Sequence, residues 1–190
     1  MNEKKRCSWS LSDPIYMDYH DLEWGYPVRD DRKQFEFLVL ESAQAGLSWL
    51  TILKRREGYR RLYEGFDPEQ VARFDETRIQ KLLQDAGIIR NRKKIESSIN
   101  NARRFLELRE KYGTFSTYLW GFTEGKQVIN HFKSMEEIPA TTALSDRISK
   151  DMKKRGFQFL GSTILYAHLQ ATGLVNDHLV DCFRHRECHE

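Results

Sequence analysis

No apolar run in this 190-residue sequence approaches the ~20 residues needed to span a bilayer, which excludes a membrane-spanning helix. Cysteine is scarce, 3 residues, and the number is odd. The opening MNEKKRCSWS is charged and carries no apolar export segment. Together these argue against a disulfide scaffold, and a reducing cytoplasm is the expected location. Proline is also scarce, 4 residues, and two of them follow aspartate in Asp13-Pro14 and Asp67-Pro68, where they begin helices rather than break them. No stretch alternates with β-branched residues long enough to build a sheet of any size. The net charge is only +3, with a pI near 8.7, so bulk charge does not single out nucleic acid as a partner. Repeats and low-complexity segments are absent.

What is present is a globular composition, 39% hydrophobic and 31% charged, in a chain long enough for one good core. Asp13 caps a helix running to about Trp24, with Tyr16, Tyr19 and His20 on one face, ended by Gly25. Asp30 or Asp31 opens a second helix that ends near Gly46, and Ser48 opens a third through Trp49, Ile52 and Leu53. Asp67 and Asp75 begin two more, the latter closed at Gly87. A long helix is predicted from about Asn91 to Tyr112, stopped by Gly113. Phe115–Phe122 reads as a short aromatic element, and Gly125–Pro139 as a loop. Ser145–Arg155 and Ser162–Thr172 read as helices ended by glycines. The expected fold class is all-α, with residues 1–190 as one domain, built either on a single core or as two helical lobes with a pocket between them.

The most apolar stretch, LVLESAQAGLSWLTIL at 38–53, carries one carboxylate, Glu41. Trp49 stands across the short turn Ala45-Gly46-Leu47. A carboxylate in apolar surroundings is costly unless something pairs with it. From this stretch alone the simpler expectation is a surface glutamate on an amphipathic helix.

Cys7 and His20 near one end, and His178 and Cys182 near the other, make a two-thiolate, two-imidazole set suited to a tetrahedral zinc with no open position. Such an ion is structural and ties the chain ends together. Incidental cysteines and histidines are the alternative. His185, Cys188 and His189 crowd the same tail and could exchange with a ligand, though a disordered tail carrying Cys188 is the preferred expectation.

KLLQDAGIIRNRKK at 81–94 has the helix, turn and helix of a hairpin that presents backbone N–H groups to a phosphate, although an ordinary αα-hairpin fits as well. Three local basic clusters, Lys54–Arg61, Arg90–Arg104 and Arg147–Arg155, each hold one acidic residue among five or six basic ones. They suit a phosphate-tracking surface or, separately, solvated helix faces.

These segments, with CSW at 7–9, SDPIYMDYHDLEWG at 12–25, LESAQAGLSWLTILKRRE at 40–57, LLQDAGIIRNRKKI at 82–95, KKRGFQFLGST at 153–163 and GLVNDHLVDC at 173–182, resemble the bacterial 3-methyladenine DNA glycosylase I family. The resemblance runs in order over nearly the whole chain. It implies a helix-hairpin-helix glycosylase-like fold with a zinc on Cys7, His20, His178 and Cys182. The base pocket would be Tyr16, Tyr19, Glu41 and Trp49, with Glu41 the candidate catalytic and base-recognising carboxylate. The turn with Gly46 and Leu47 would approach DNA, Leu47 as a wedge. The hairpin at about 82–95, with Gly87, Arg90, Arg92, Lys93 and Lys94, would hold phosphates.

The implied activity is monofunctional: 3-methyladenine is flipped from alkylated double-stranded DNA and released as the free base by hydrolysis, by a monomer. The region after the hairpin, IESSINNARRFLELREKYG, holds no aspartate where related hairpin glycosylases carry a general base, an absence the family shares. No lysine stands out as a Schiff-base nucleophile, so strand cleavage is not expected. The rival readings are a non-catalytic, zinc-stabilised DNA-binding module, a zinc hydrolase and a DNA lyase.

Overall fold

The computed structural model describes residues 4–188. Short polar side chains decide where its helices begin, because each accepts a hydrogen bond from a backbone N–H that the first turn leaves without a helical partner. Asp13 does this for α1 (Pro14–Leu22), Asp30 for α2 (Asp31–Gln44) and Ser48 for α3 (Trp49–Leu53). After α4 (Arg56–Leu62), Asp67 and Asp75 cap α5 (Pro68–Ala72) and α6 (Glu76–Gln84). Asn91 caps the long α7 (Arg92–Tyr112), which stops at Gly113 with φ +83°. Thr114 caps α8 (Phe115–Trp120) and Thr142 caps α9 (Ala143–Lys154), while α10 (Ser162–Ala171) and α11 (Phe183–Glu187) complete the helices.

The fold is mostly helical, as expected. A two-residue parallel pairing of β1 (Val128–Ile129) with β2 (Val175–Asn176) ties the loop after α8 to the C-terminal segment. Two of the boundaries that differ from the sequence reading do so because a side chain reaches back to the backbone. α6 ends at Gln84 rather than Gly87, since Asp85 turns its carboxylate onto the Gly87 N–H at 2.8 Å. α9 begins before Ser145, because Thr142 and Ser145 cap each other reciprocally. Among the described residues no helix is long and apolar enough to cross a membrane.

α2 is the centre of the molecule. Every residue from Gln34 to Ala43 is buried, so the helix has no solvent face. One side packs into a large core with α7, α8 and α10, where Phe35 and Phe105 meet edge to face and Leu38, Ile99, Leu165 and Leu169 fill the space. Phe37 looks the other way, into a smaller cluster with Cys7, Tyr19, Trp24, Leu53 and Leu179 that gathers both ends of the chain. Trp49 packs against both clusters.

The turn between α6 and α7 is seated on α4 by a close backbone approach. A Cβ on Gly58 would lie 2.2 Å from the Gly87 carbonyl oxygen. Ile89 N–H also donates to the Tyr59 hydroxyl at 3.2 Å, and Arg61 pairs with Asp85 at 2.9 Å. Gly58→Ala is therefore expected to lever the turn off α4 and to destabilise the fold by about 1–3 kcal/mol, read as a lower urea midpoint at unchanged slope.

Candidate functional site

Four polar side chains are buried on α2, and three are satisfied. Gln34 donates to the Val28 carbonyl at 2.8 Å and faces His168 Nε2 at 2.8 Å. Glu36 is clamped by Arg56, Arg60 and Lys33. Ser42 Oγ donates to the Val39 carbonyl at 3.0 Å. Glu41, only 2% exposed, has an Oε2 with no hydrogen-bond partner. Burial alone pushes its carboxyl up to about 8. The surface glutamate that the local sequence suggests is thus not found, because α2 is enclosed on all sides and its apolar periodicity carries no outward face.

Glu41 lines a cavity of about 340 Å³. Its walls are the aromatic rings of Trp9, Tyr16, Tyr19, Trp24 and Trp49, with Gln44, Met135, Ile138, Tyr166 and Gln170 completing them. Tyr19 and Trp49 lie with ring centroids 5.6 Å apart, and Trp9 meets Tyr16 edge-on at 5.6 Å. The Tyr16 hydroxyl accepts from the Leu50 N–H at 2.8 Å, which fixes α1 against the first turn of α3. Burial, with the Glu41 carboxylate nearby, raises the Tyr19 phenol well above its usual range. Trp49 Nε1 is buried without a partner, a donor matching the free acceptor on Glu41. A largely apolar cleft, open to solvent on one side, with an unsatisfied donor and acceptor is built to receive a flat, polar-edged ligand.

The second cluster lies behind that wall. Cys7, His20, His178 and Cys182 are all buried, with their ligand atoms within 4.8 Å of one another. Cys182 Sγ is 3.4 Å from His20 Nε2 and 3.6 Å from His178 Nδ1, and Cys7 Sγ is 3.7 Å from His178 Nδ1. Tetrahedral bonds of about 2.3 Å to sulfur and about 2.0–2.1 Å to nitrogen would place neighbouring S and N atoms about 3.5 Å apart, so the donor set fits such an ion. The outer contacts fit too: His20 Nδ1 meets Asp21 at 2.8 Å, itself held by Arg6, and His178 Nε2 meets the Trp24 carbonyl at 2.9 Å. Trp9 joins the two clusters, its ring 5.5 Å from His20.

Of the surplus tail residues, His185 bonds the Asn130 carbonyl at 2.9 Å, and His189 lies outside the described residues. The disordered tail expected for Cys188 is not observed. α11 folds back and buries that thiol 3.6 Å from His178 Nε2, on the side of the ring away from the other three ligands.

The profile of the methyladenine glycosylase family matches residues 9–185. DNA-3-methyladenine glycosylase 1 of Escherichia coli strain K12 is 48% identical over 178 residues, which cover 94% of this chain and 95% of that protein. The chain belongs to the methyladenine glycosylase family. A crystal structure of 3-methyladenine DNA glycosylase I superposes with a TM-score of 0.90 at 48% identity, covering 98% of this chain and 100% of the other. A 3-methyladenine DNA glycosylase I variant in complex with 3-methyladenine superposes with a TM-score of 0.93 at 37% identity, covering 97% and 99%.

In this member of the methyladenine glycosylase family the four residues expected in the pocket, Tyr16, Tyr19, Glu41 and Trp49, come together around one cavity. Sequence reasoning missed Trp9, Trp24 and the α10 wall. Trp9 and Trp24 fall inside matching segments and flank metal-ligand candidates, which was the available signal; Tyr166 and Gln170 carry none. Gly46 (φ +79°) and Leu47 (39% exposed) form an open turn after α2.

Gly87 sits in the seated turn before α7, and Arg90 and Lys93 are exposed beside it. Several of the other basic residues are engaged within the protein. Arg92 pairs with Glu76 and Glu96, Arg56 with Glu23 and Glu36, and Lys54 with Asp13. Arg104 pairs with Glu107 and Arg155 with Asp151. The basic runs thus lose much of their free charge to acids that only the fold brings beside them.

Proposed function

We propose that the protein is a monofunctional DNA-3-methyladenine glycosylase, active as a cytoplasmic monomer in which residues 1–190 form one domain. It flips 3-methyladenine out of alkylated duplex DNA and hydrolyses its N-glycosidic bond. The observation that carries this is the unsatisfied carboxylate of Glu41, buried in an aromatic cavity. Relatives over nearly the whole chain that are named for this activity, and a relative holding 3-methyladenine, support it.

An N3-methylated adenine in DNA is cationic and its glycosidic bond is already weakened, so the leaving base needs no protonation. The work left to the protein is extraction, holding and access for water to C1′. Flipping costs a few kcal/mol, least for a damaged base. The faces of Tyr16, Tyr19 and Trp49 favour a flat cation. Burial in its apolar setting favours the neutral form of the Glu41 carboxyl. A cationic base supplies the missing positive partner, so the carboxyl gives up its proton to solvent as the base enters and then accepts hydrogen bonds from the exocyclic amino edge. A neutral base provokes no such gain, which gives selectivity by differential binding.

In this reading α6, the turn at 85–91 and α7 act as a helix-hairpin-helix, with Gly87, Arg90, Arg92 and Lys93 at the phosphates. The Gly46–Leu47 turn enters the duplex beside the flipped nucleotide. Cys7, His20, His178 and Cys182 hold one zinc, which as a closed four-ligand site is structural and joins the chain ends. Among the described residues no lysine lines the cavity, which supports base release without a Schiff base.

Incubation with methylated duplex DNA and chromatography of the released bases tests this. Free 3-methyladenine, with 7-methylguanine retained and no trapping by borohydride on an abasic site, is the expected result. No release by folded, metal-loaded protein would sink the enzymatic reading in favour of a DNA-binding module.

A further inference from the structure

Lys94 stands in the first turn of α7, in the middle of the basic run that reads as a phosphate grip. Its amine points inward instead. Lys94 Nζ donates to the Ala43 carbonyl at 2.8 Å and to the Ala45 carbonyl at 2.7 Å. Those are carbonyls of the last turn of α2, which end-of-helix geometry leaves without N–H partners, and a cation there also meets the negative end of the helix dipole. The lysine backbone is itself fixed, because Asn91 Oδ1 accepts from the Lys94 N–H at 3.1 Å.

The chain that Lys94 holds is the one that matters to both the cavity and the duplex. Glu41 lies one turn upstream of Ala45, and Gln44 lines the cavity. Ala45 leaves the helix with ψ 114°, and Gly46 and Leu47 follow at the surface. The turn is closed locally by Leu47 N–H donating to the Gln44 carbonyl at 2.6 Å. Lys94 adds a tie across sequence to the start of α7, which carries Lys93 and directly follows the turn that carries Arg90.

We propose that Lys94 is a positioning residue that locks the duplex-entering turn to the phosphate-binding start of α7, and is not itself a phosphate contact. This rests on the DNA glycosylase reading above. Its consequence is mechanical. A duplex held by the hairpin is presented at a set distance from Leu47 and from the mouth of the cavity, so that phosphate binding and base extraction act on the same nucleotide. Without the tie the protein still binds duplex but extracts the base poorly.

Lys94→Met, which keeps the length of the side chain and removes its donors, separates the two roles. Three quantities are measured: the salt dependence of binding to undamaged duplex, single-turnover release of 3-methyladenine at saturating protein, and binding of free 3-methyladenine. For a positioning residue the slope of log K against log salt is unchanged and release slows by about tenfold or more. Free-base binding stays within about twofold of the wild type, which shows that the pocket is intact and the variant folded. Lys94→Arg, able to reach both carbonyls, restores most of the release rate. A salt slope smaller in magnitude by about one with release unchanged is the signature of a phosphate contact and would overturn the proposal. So would release by Lys94→Met at the wild-type rate. If the wild type itself releases no base, the glycosylase reading has failed instead.

Discussion

Cys182→Ser, or removal of the metal by a strong chelator, is expected to lower the melting temperature by roughly 10 °C or more, on a cost of at least about 4 kcal/mol for a chain of this size. The reason is where the ligands lie. Cys7 and His20 lie near the start of the sequence, and His178 and Cys182 near its end. Without an ion at their centre, four buried polar groups face one another with no charge to balance a thiolate. Cys7, with His178 and His20, favours the thiolate of Cys182, while the same contact and burial hold Cys7 as a thiol, so a metal would have to displace that second proton. The loss of a closing link between distant segments adds to the cost. Elemental analysis of the purified protein should find about one zinc per chain. Cys188→Ser, outside the tetrahedral set, should leave that stoichiometry intact. A Cys182→Ser protein that melts with the wild type and binds metal equally would remove the cluster from any structural role.

Glu41→Gln should do two opposite things: stabilise the fold at neutral pH and abolish most of the pocket's affinity. The carboxyl is raised from 4.5 to about 8 by burial. Below pH 4.5 folded and unfolded chains both hold the proton, and the native contribution of Glu41 is complete. Between 4.5 and 8 the unfolded chain ionises first, so stability falls as pH rises, and the loss is complete above the folded value. At pH 7 this amounts to about 3 kcal/mol, or roughly 6–12 °C in melting temperature. The amide escapes this penalty. The gap between variant and wild type should therefore be near zero at pH 4.5 and widen steadily toward pH 8.

Binding should show the mirror image. A cationic base that draws the proton off Glu41 binds the wild type more tightly as pH rises toward 8, and the dependence disappears in Glu41→Gln with a loss of about tenfold or more. A variant that is no more stable at pH 7 than at pH 4.5, relative to wild type, would show that the carboxylate has a cation partner of its own. Carrying a destabilising group where a ligand will later satisfy it is the usual relation between active sites and stability.

The helix starts were legible because a cap is a local matter: Asp13, Asp30, Ser48, Asp67, Asp75 and Asn91 each need only a residue two or three positions on. The metal quartet was legible as a set of residue types, with one-turn spacing in the pair His178 and Cys182 only, and the pocket through matching segments. The amino-acid sequence by itself thus determined the helical class, the family, the four candidate ligands and the four named pocket residues. Three things were decided only by the tertiary structure. Glu41 is buried because α2 is enclosed by elements from both ends of the chain, which no local periodicity records. Cys188 is packed beside His178 because α11 folds back, yet it meets the ring at Nε2, outside the set of four, which closeness in sequence alone does not decide. Lys94 and much of the basic run turn toward carbonyls and acids, up to 51 residues away for Lys94 itself, rather than toward solvent. A charge seeks whichever partner is nearest in space, and that partner is known only once the chain has folded.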